Sequence, residues 1–124
     1  MHEFAICEGL VQAVREELAG KSPRPRLLKV RVIVGRMRQI VPENLDFAYH
    51  SLTHETEMAG SELEIVAAPV KVQCVSCRCH SEISSRIFEC RHCGSGELKV
   101  LGGMELYIEN LTVEYIDTNP PSII

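Results

Sequence analysis

Four cysteines form two matched pairs, Cys74-Val75-Ser76-Cys77 and Cys90-Arg91-His92-Cys93, with twelve residues between them. Two residues between cysteines let one tight turn place both sulfurs on the same side of an ion. A hairpin between the pairs then brings in the other two, which makes a tetrahedral four-thiolate zinc site with Zn–S bonds of about 2.3 Å. Four protein ligands leave no open position on the metal, so this site is structural and implies no catalysis. Gly94 follows the second pair and is expected to let the backbone approach the metal-bound sulfur without a side-chain clash. Disulfides do not suit a chain expected in a reducing compartment. A redox use of either pair would place it at the start of a helix, where the dipole lowers a thiol pKa, and no helical pattern follows either one. Cys79, His80 and His92 lie beside or within the pairs as spare donors able to exchange with a cysteine, whereas Cys7 falls on an apolar helix face as a small core residue.

A second candidate metal site is Met1-His2-Glu3. A free α-amine, the amides that follow it and an imidazole at the second position offer four nitrogens in one plane, which suits nickel(II) or copper(II) better than tetrahedral zinc. The amine and the imidazole must both lose protons, so binding would weaken in acid. By residue type alone, His2 reads first as a solvated terminal side chain. His50 and His54 share a helix face at ligand spacing, but without a Glu beside the first they read as exposed side chains.

The elements that position these groups follow from hydrophobic period. Phe4, Cys7, Val11, Val14 and Leu18 alternate steps of three and four, which predicts a helix from Glu3 to Leu18 stopped by Gly20. Leu28, Val30, Val32 and Val34 alternate with Lys29, Arg31 and Ile33 as a strand with one buried face, ended by Gly35. Pro42 opens a second helix with Leu45, Ala48, Tyr49 and Leu52 as its stripe, ending before Gly60. Glu62 to Val72 reads as one strand with a break at Pro69, and Glu105 to Tyr115 as the last. The order predicts an α/β fold. It is a two-layer domain with a mixed three-stranded sheet and two helices (residues 1–69 and 102–124), plus an inserted four-cysteine zinc-ribbon-like domain (residues 70–101). The Pro120-Pro121 tail is expected to fray.

Composition narrows the function classes. Of 124 residues 45% are hydrophobic and 24% charged, in the globular range, and no apolar run approaches the length of a membrane span. The start lacks the pattern of a secretory signal, so a cytoplasmic location is expected. A net charge of −4 and six aromatic residues argue against nucleic acid, which is bound by basic grooves and stacking rings. The charge is unevenly spread. Lys21, Arg24, Arg26, Lys29, Arg31, Arg36 and Arg38 occur with no acid between them, and Glu43, Asp46, Glu55, Glu57, Glu62 and Glu64 follow with no Lys or Arg among them. These runs are either two solvated faces or a docking surface for a charged partner. No phosphate loop and no nucleophile-base pair can be read, so an enzyme is not expected.

In its ordered set of motifs the chain resembles the HypA/HybF family of nickel metallochaperones for hydrogenase maturation. The carriers are Met1-His2-Glu3, Val34-Gly35, the run from Ile40 to Ala48, Gly60 to Ile65, the two cysteine pairs and Gly102-Gly103-Met104-Glu105-Leu106. The resemblance implies nickel held at the amino terminus by His2 and neighbouring backbone nitrogens, with Met1 and Glu3 in the same motif, and structural zinc on Cys74, Cys77, Cys90 and Cys93. It further implies delivery towards the large subunit of a nickel-iron hydrogenase, a maturation GTPase as partner, and urease for some relatives. Two positions depart from the family pattern: Arg36 stands where a Glu commonly follows the glycine, and Arg78 where a glycine commonly follows the first cysteine pair. The alternative reading is a zinc-ribbon interaction module that binds protein or nucleic acid.

Overall fold

The computed structural model describes residues 2–83 and 87–115; Met1 and the Pro120-Pro121 tail lie outside the described residues. In chain order the elements are α1 (His2–Ala19), β1 (Arg26–Gly35), a 3-10 turn (Arg36–Arg38), α2 (Pro42–Thr53), β2 (Glu62–Ala68), β3 (Val70–Cys74), β4 (His80–Ile83), β5 (Leu98–Gly102) and β6 (Leu106–Glu114). One mixed sheet has the order β2-β1-β6 and a second the order β4-β3-β5. The expected two helices, mixed three-stranded sheet and inserted cysteine segment are all present. The segment brings a sheet of its own that the sequence reading did not foresee. The chain forms two units, one of Met1–Arg31, Val41–Glu64 and Ile108–Ile124, the other of Val32–Ile40 and Ile65–Tyr107.

In the first unit α1 buries Glu3, Cys7, Leu10, Val11, Val14 and Leu18. Phe4, expected on this face, is instead 42% exposed, and Glu3 at 4% takes the inner place. Glu3 lies four residues before Cys7 and Phe4 three, so both border the buried stripe; Glu3 takes the inner place, where it meets the Val41 amide, and Phe4 packs further out against Phe47. On α2, Leu45, Ala48 and Tyr49 are buried as expected, but Thr53 replaces Leu52 on the inner face and donates its hydroxyl to the Tyr49 carbonyl at 2.8 Å. The Tyr49 hydroxyl meets Ser61 Oγ at 2.5 Å, and Ser61 Oγ donates to the Met58 carbonyl at 2.6 Å, so the buried phenol keeps a partner.

The expected alternation of β1 holds only in part. Leu27 rather than Leu28 is buried, and Val32 to Gly35 are buried at every position. The predicted Glu62–Val72 strand is two strands in different sheets, β2 and β3, because Pro69 has no amide hydrogen to carry a ladder through. The charge runs meet in part within the first unit: Arg24 pairs with Glu57 at 2.8 Å, Lys29 with Glu64 at 3.4 Å and Arg31 with Glu64 at 3.7 Å. Arg31 also reaches Glu109 at 2.6 Å. Each such half-exposed pair contributes about 0.2–1 kcal/mol.

In the second unit the Val34-Gly35 and Gly102-to-Leu106 motifs meet. The Gly35 amide donates to the Glu105 carbonyl at 2.7 Å and the Met37 amide to the Gly103 carbonyl at 2.9 Å. A Cβ at Gly35 would overlap the Gly103 carbonyl, so no other residue fits there. Gly103 adopts φ 127° and donates its amide to the Glu105 carboxylate at 2.8 Å. Beyond this junction β3 pairs antiparallel with β4 (Gln73 opposite His80) and with β5 (Cys74 opposite Leu98), around a small core of Val70, Val72 and Ile83.

Candidate metal centres

The cysteine pairs sit on two turns with the same hydrogen bonds. After the first pair the Arg78 amide donates to the Cys74 carbonyl at 2.9 Å, and after the second the Gly94 amide donates to the Cys90 carbonyl at 2.9 Å. The Cys74 amide donates to the Cys79 carbonyl at 2.9 Å, and the Cys90 amide to the Ser95 carbonyl at 2.7 Å. Inside each turn an amide points at a sulfur: Cys77 at Cys74 Sγ and Cys93 at Cys90 Sγ, both at 3.4 Å, with the His92 amide adding a 3.3 Å contact to Cys90 Sγ. The residue closing each turn is left-handed, Arg78 at φ 62° and Gly94 at φ 78°. This corrects the expected role of Gly94. A Cβ there would meet nothing within 4 Å, so the glycine answers a backbone angle and not a close approach to sulfur.

All four ligand sulfurs lie within 4.8 Å of one another. Cys74 to Cys93 and Cys77 to Cys90 each measure 3.6 Å, near the edge of about 3.8 Å that a tetrahedron with metal–sulfur bonds of about 2.3 Å would have. The Cys74 thiol is pulled down to about 6, first by the Cys77 amide, and Cys90 is lowered, first by the Cys93 amide and then by His92. Cys77 and Cys93 move the other way. A central divalent cation is what lets all four ionise together, so the donor set fits a resident metal. Cys79, His80 and His92 fall outside this group of four. Cys7 is fully buried, and loss of water with Asp46 and Glu8 nearby pushes its thiol up to about 11, as suits an inert core residue.

At the other candidate, Met1 lies outside the described residues, and an exposed His2 opens α1. The first amides of a helix have no carbonyl one turn back, so those of His2 and Glu3 stand outside the α1 ladder. Buried Glu3 accepts the Val41 amide on Oε2 at 3.1 Å. Its carboxyl is held down to about 2, first by the chain's amino group and next by that amide, with burial opposing. Phe4 stacks edge-on against Phe47 with ring centres 6.4 Å apart, and a cavity of about 210 Å³ is lined by Glu3, Phe4, Asn44 and Phe47. The sequence reading missed Val41, Asn44 and Phe47 as neighbours of this motif; the signal available was the position of Glu3 above Cys7. His50 and His54 are exposed and face Asp46 at 3.4 Å and Glu55 at 3.9 Å.

The description "Hydrogenase/urease nickel incorporation, metallochaperone, hypA" belongs to a family model that matches residues 1–113. Hydrogenase maturation factor HypA of Bradyrhizobium sp. (strain ORS 278) is 36% identical over 114 residues, covering 92% of this chain and 100% of its own length. The factor of the same name from Nitrosospira multiformis is 36% identical over 118 residues, covering 95% and 100%. Among solved structures, the solution structure of a HypA protein is similar at TM-score 0.63 and 23% identity, covering 91% of this chain and 96% of that one. The solution structure of the Ni metallochaperone HypA from Helicobacter pylori gives 0.60 and 18%, covering 94% and 100%. At these identities the two structures support the fold alone.

Proposed function

Because the chain belongs to the HypA family of hydrogenase/urease nickel-incorporation metallochaperones, we propose that it carries one nickel(II) on its amino terminus and delivers it for maturation of a nickel-iron hydrogenase. The ligands in this reading are the α-amine of Met1, the amides that follow it and the imidazole of His2. Glu3 contributes through its backbone nitrogen. The observation that carries the reading is the exposed His2 at the start of α1, beside amides that the helix does not use. Zinc on Cys74, Cys77, Cys90 and Cys93 is structural. The nickel role is assigned to residues 1–69 and 102–124 and the zinc role to residues 70–101.

The work is binding and release, with no covalent step and no enzymatic turnover. Copper(II) would outcompete nickel at a nitrogen site of this kind, so selectivity comes from metal supply and partner docking. The partners in this reading are a maturation GTPase and the hydrogenase large subunit, with urease maturation proteins as a further group, all in the cytoplasm. Among the described residues no helix is long and apolar enough to cross a membrane.

Equilibrium dialysis with elemental analysis tests the site. The native chain is expected to take up one nickel and keep its zinc, whereas His2→Ala, or a chain carrying Gly-Ser ahead of Met1, should keep zinc and take up none. Equal uptake by native and extended chains would move the site away from the amino terminus.

A further inference from the structure

The start of α2 lacks the group that usually caps a helix. Its N-cap residue, Val41, has no side-chain oxygen and makes no side-chain cap bond, and Pro42 follows at the first helical position. In a capping box, a Glu three residues into the helix reaches back to the N-cap amide. Here that position is Asn44, whose own amide donates to the Val41 carbonyl at 3.1 Å. The Val41 amide is met from another helix altogether, by Glu3 Oε2 at 3.1 Å. A carboxylate that is only 4% exposed in the first turn of a helix thus serves the helix packed beside it as well as the chain's own amino group. The next residue, Phe4, makes a second contact across the same pair of helices, edge-on to Phe47.

We infer that the Glu3 carboxylate is a positioning group for nickel: by supplying the missing cap of α2 it pins the first turn of α1, so that His2 and the adjacent amides are held in one arrangement. This rests on the nickel site proposed above. The carboxylate binds no metal. Helix ends fray unless they are tied down, and the tie here is 38 residues away in sequence. Groups that orient metal ligands in this way change metal affinity by about 10–100-fold when removed.

The decisive variant lies away from the metal motif. Val41 has φ −83° and ψ 115°, angles that proline accepts, so Val41→Pro replaces the amide hydrogen by a ring carbon that both removes the donor and displaces the Glu3 carboxylate from it. Nickel titrations, followed by heat and by the d–d absorption bands, would compare it with Glu3→Ala, Glu3→Gln and the Val41→Pro/Glu3→Ala double variant. Zinc content and far-ultraviolet circular dichroism serve as the folding control. We expect Val41→Pro and Glu3→Ala each to raise the nickel Kd about tenfold with the absorption bands unmoved. The double variant should be no worse than Glu3→Ala alone, and Glu3→Gln, which keeps an acceptor, should stay within about threefold of native. Native affinity in Val41→Pro, or shifted bands in Glu3→Gln, would overturn the inference while leaving the amino-terminal nickel site standing. Absence of nickel binding by the native chain would overturn both.

Discussion

The two candidate metal centres hold their ligands in opposite ways. The cysteine cluster takes its four sulfurs from two turns that share the same backbone hydrogen bonds, with backbone amides aimed at Cys74 and Cys90. The amino-terminal candidate has an exposed imidazole at the free end of a helix, and its neighbouring carboxylate is tied to the start of α2. A closed set of four thiolates retains its metal, whereas an open end with few protein ligands suits exchange. On the function proposed above, one chain of 124 residues joins a centre that keeps its ion with one that gives its ion up.

The harshest way to break the comparison is to open the closed centre. With zinc as the resident ion, as proposed above, Cys90→Ala should abolish its retention, measured as metal per chain after dialysis. It should also unfold the β4-β3-β5 sheet, because structural zinc sites of this type contribute about 10–16 kcal/mol of apparent binding free energy at neutral pH. Survival of that sheet in NMR spectra of the zinc-free variant would show that the cluster is not what holds it.

Acid sharpens the comparison at the other end. The Glu3 carboxyl is held at about 2 in the folded chain, below its ordinary 4.5, first by the chain's amino group and next by the Val41 amide, so the carboxylate with both of its ties is fully present above about 4.5 and is lost as pH falls towards about 2. The Val41 amide resonance should move over that window and stay still above it. A midpoint near 4.5 would mean that neither the amino group nor the Val41 amide holds the carboxylate in solution.

The smallest effect compares the two cysteine turns themselves. Gly94→Ala places a side chain at φ 78° and should destabilise the zinc-loaded unit by about 1–2 kcal/mol. Arg78→Gly relieves the same angle but frees the unfolded chain, and should stabilise by less than about 1 kcal/mol. Thermal denaturation of the zinc form would read both; equal effects of one sign would show that the turns are not equivalent.

The cysteine cluster was legible because its information is local: spacing alone puts two sulfurs on a turn. Helix α1 was legible to within a residue at each end for the same reason, through its period. The β4-β3-β5 sheet was not, because His80–Ile83 and Leu98–Gly102 are short and weakly patterned, and they become strands by pairing with β3. Pro69 was noticed as a break, but its division of one apparent strand between two sheets depends on partners distant in sequence. Glu3 was assigned to the metal motif by resemblance, while its contact with Val41 is tertiary and leaves only a faint mark in the helical register. Arg78 stood out only as a departure, and the left-handed angle it adopts gives that departure a physical meaning.

The ladder of Lys29, Arg31, Glu64 and Glu109 across β2, β1 and β6 has a consequence for life in a crowded solution. A protein whose task is to meet others briefly must resist sticking to copies of itself, and a three-stranded sheet is a tempting surface for another sheet to stack on or extend. Charges of both signs set along the strands make such stacking expensive in lost hydration while leaving each molecule internally neutralised there. Colloidal dispersal is thereby written into the same residues that, read along the chain, looked like two opposed patches.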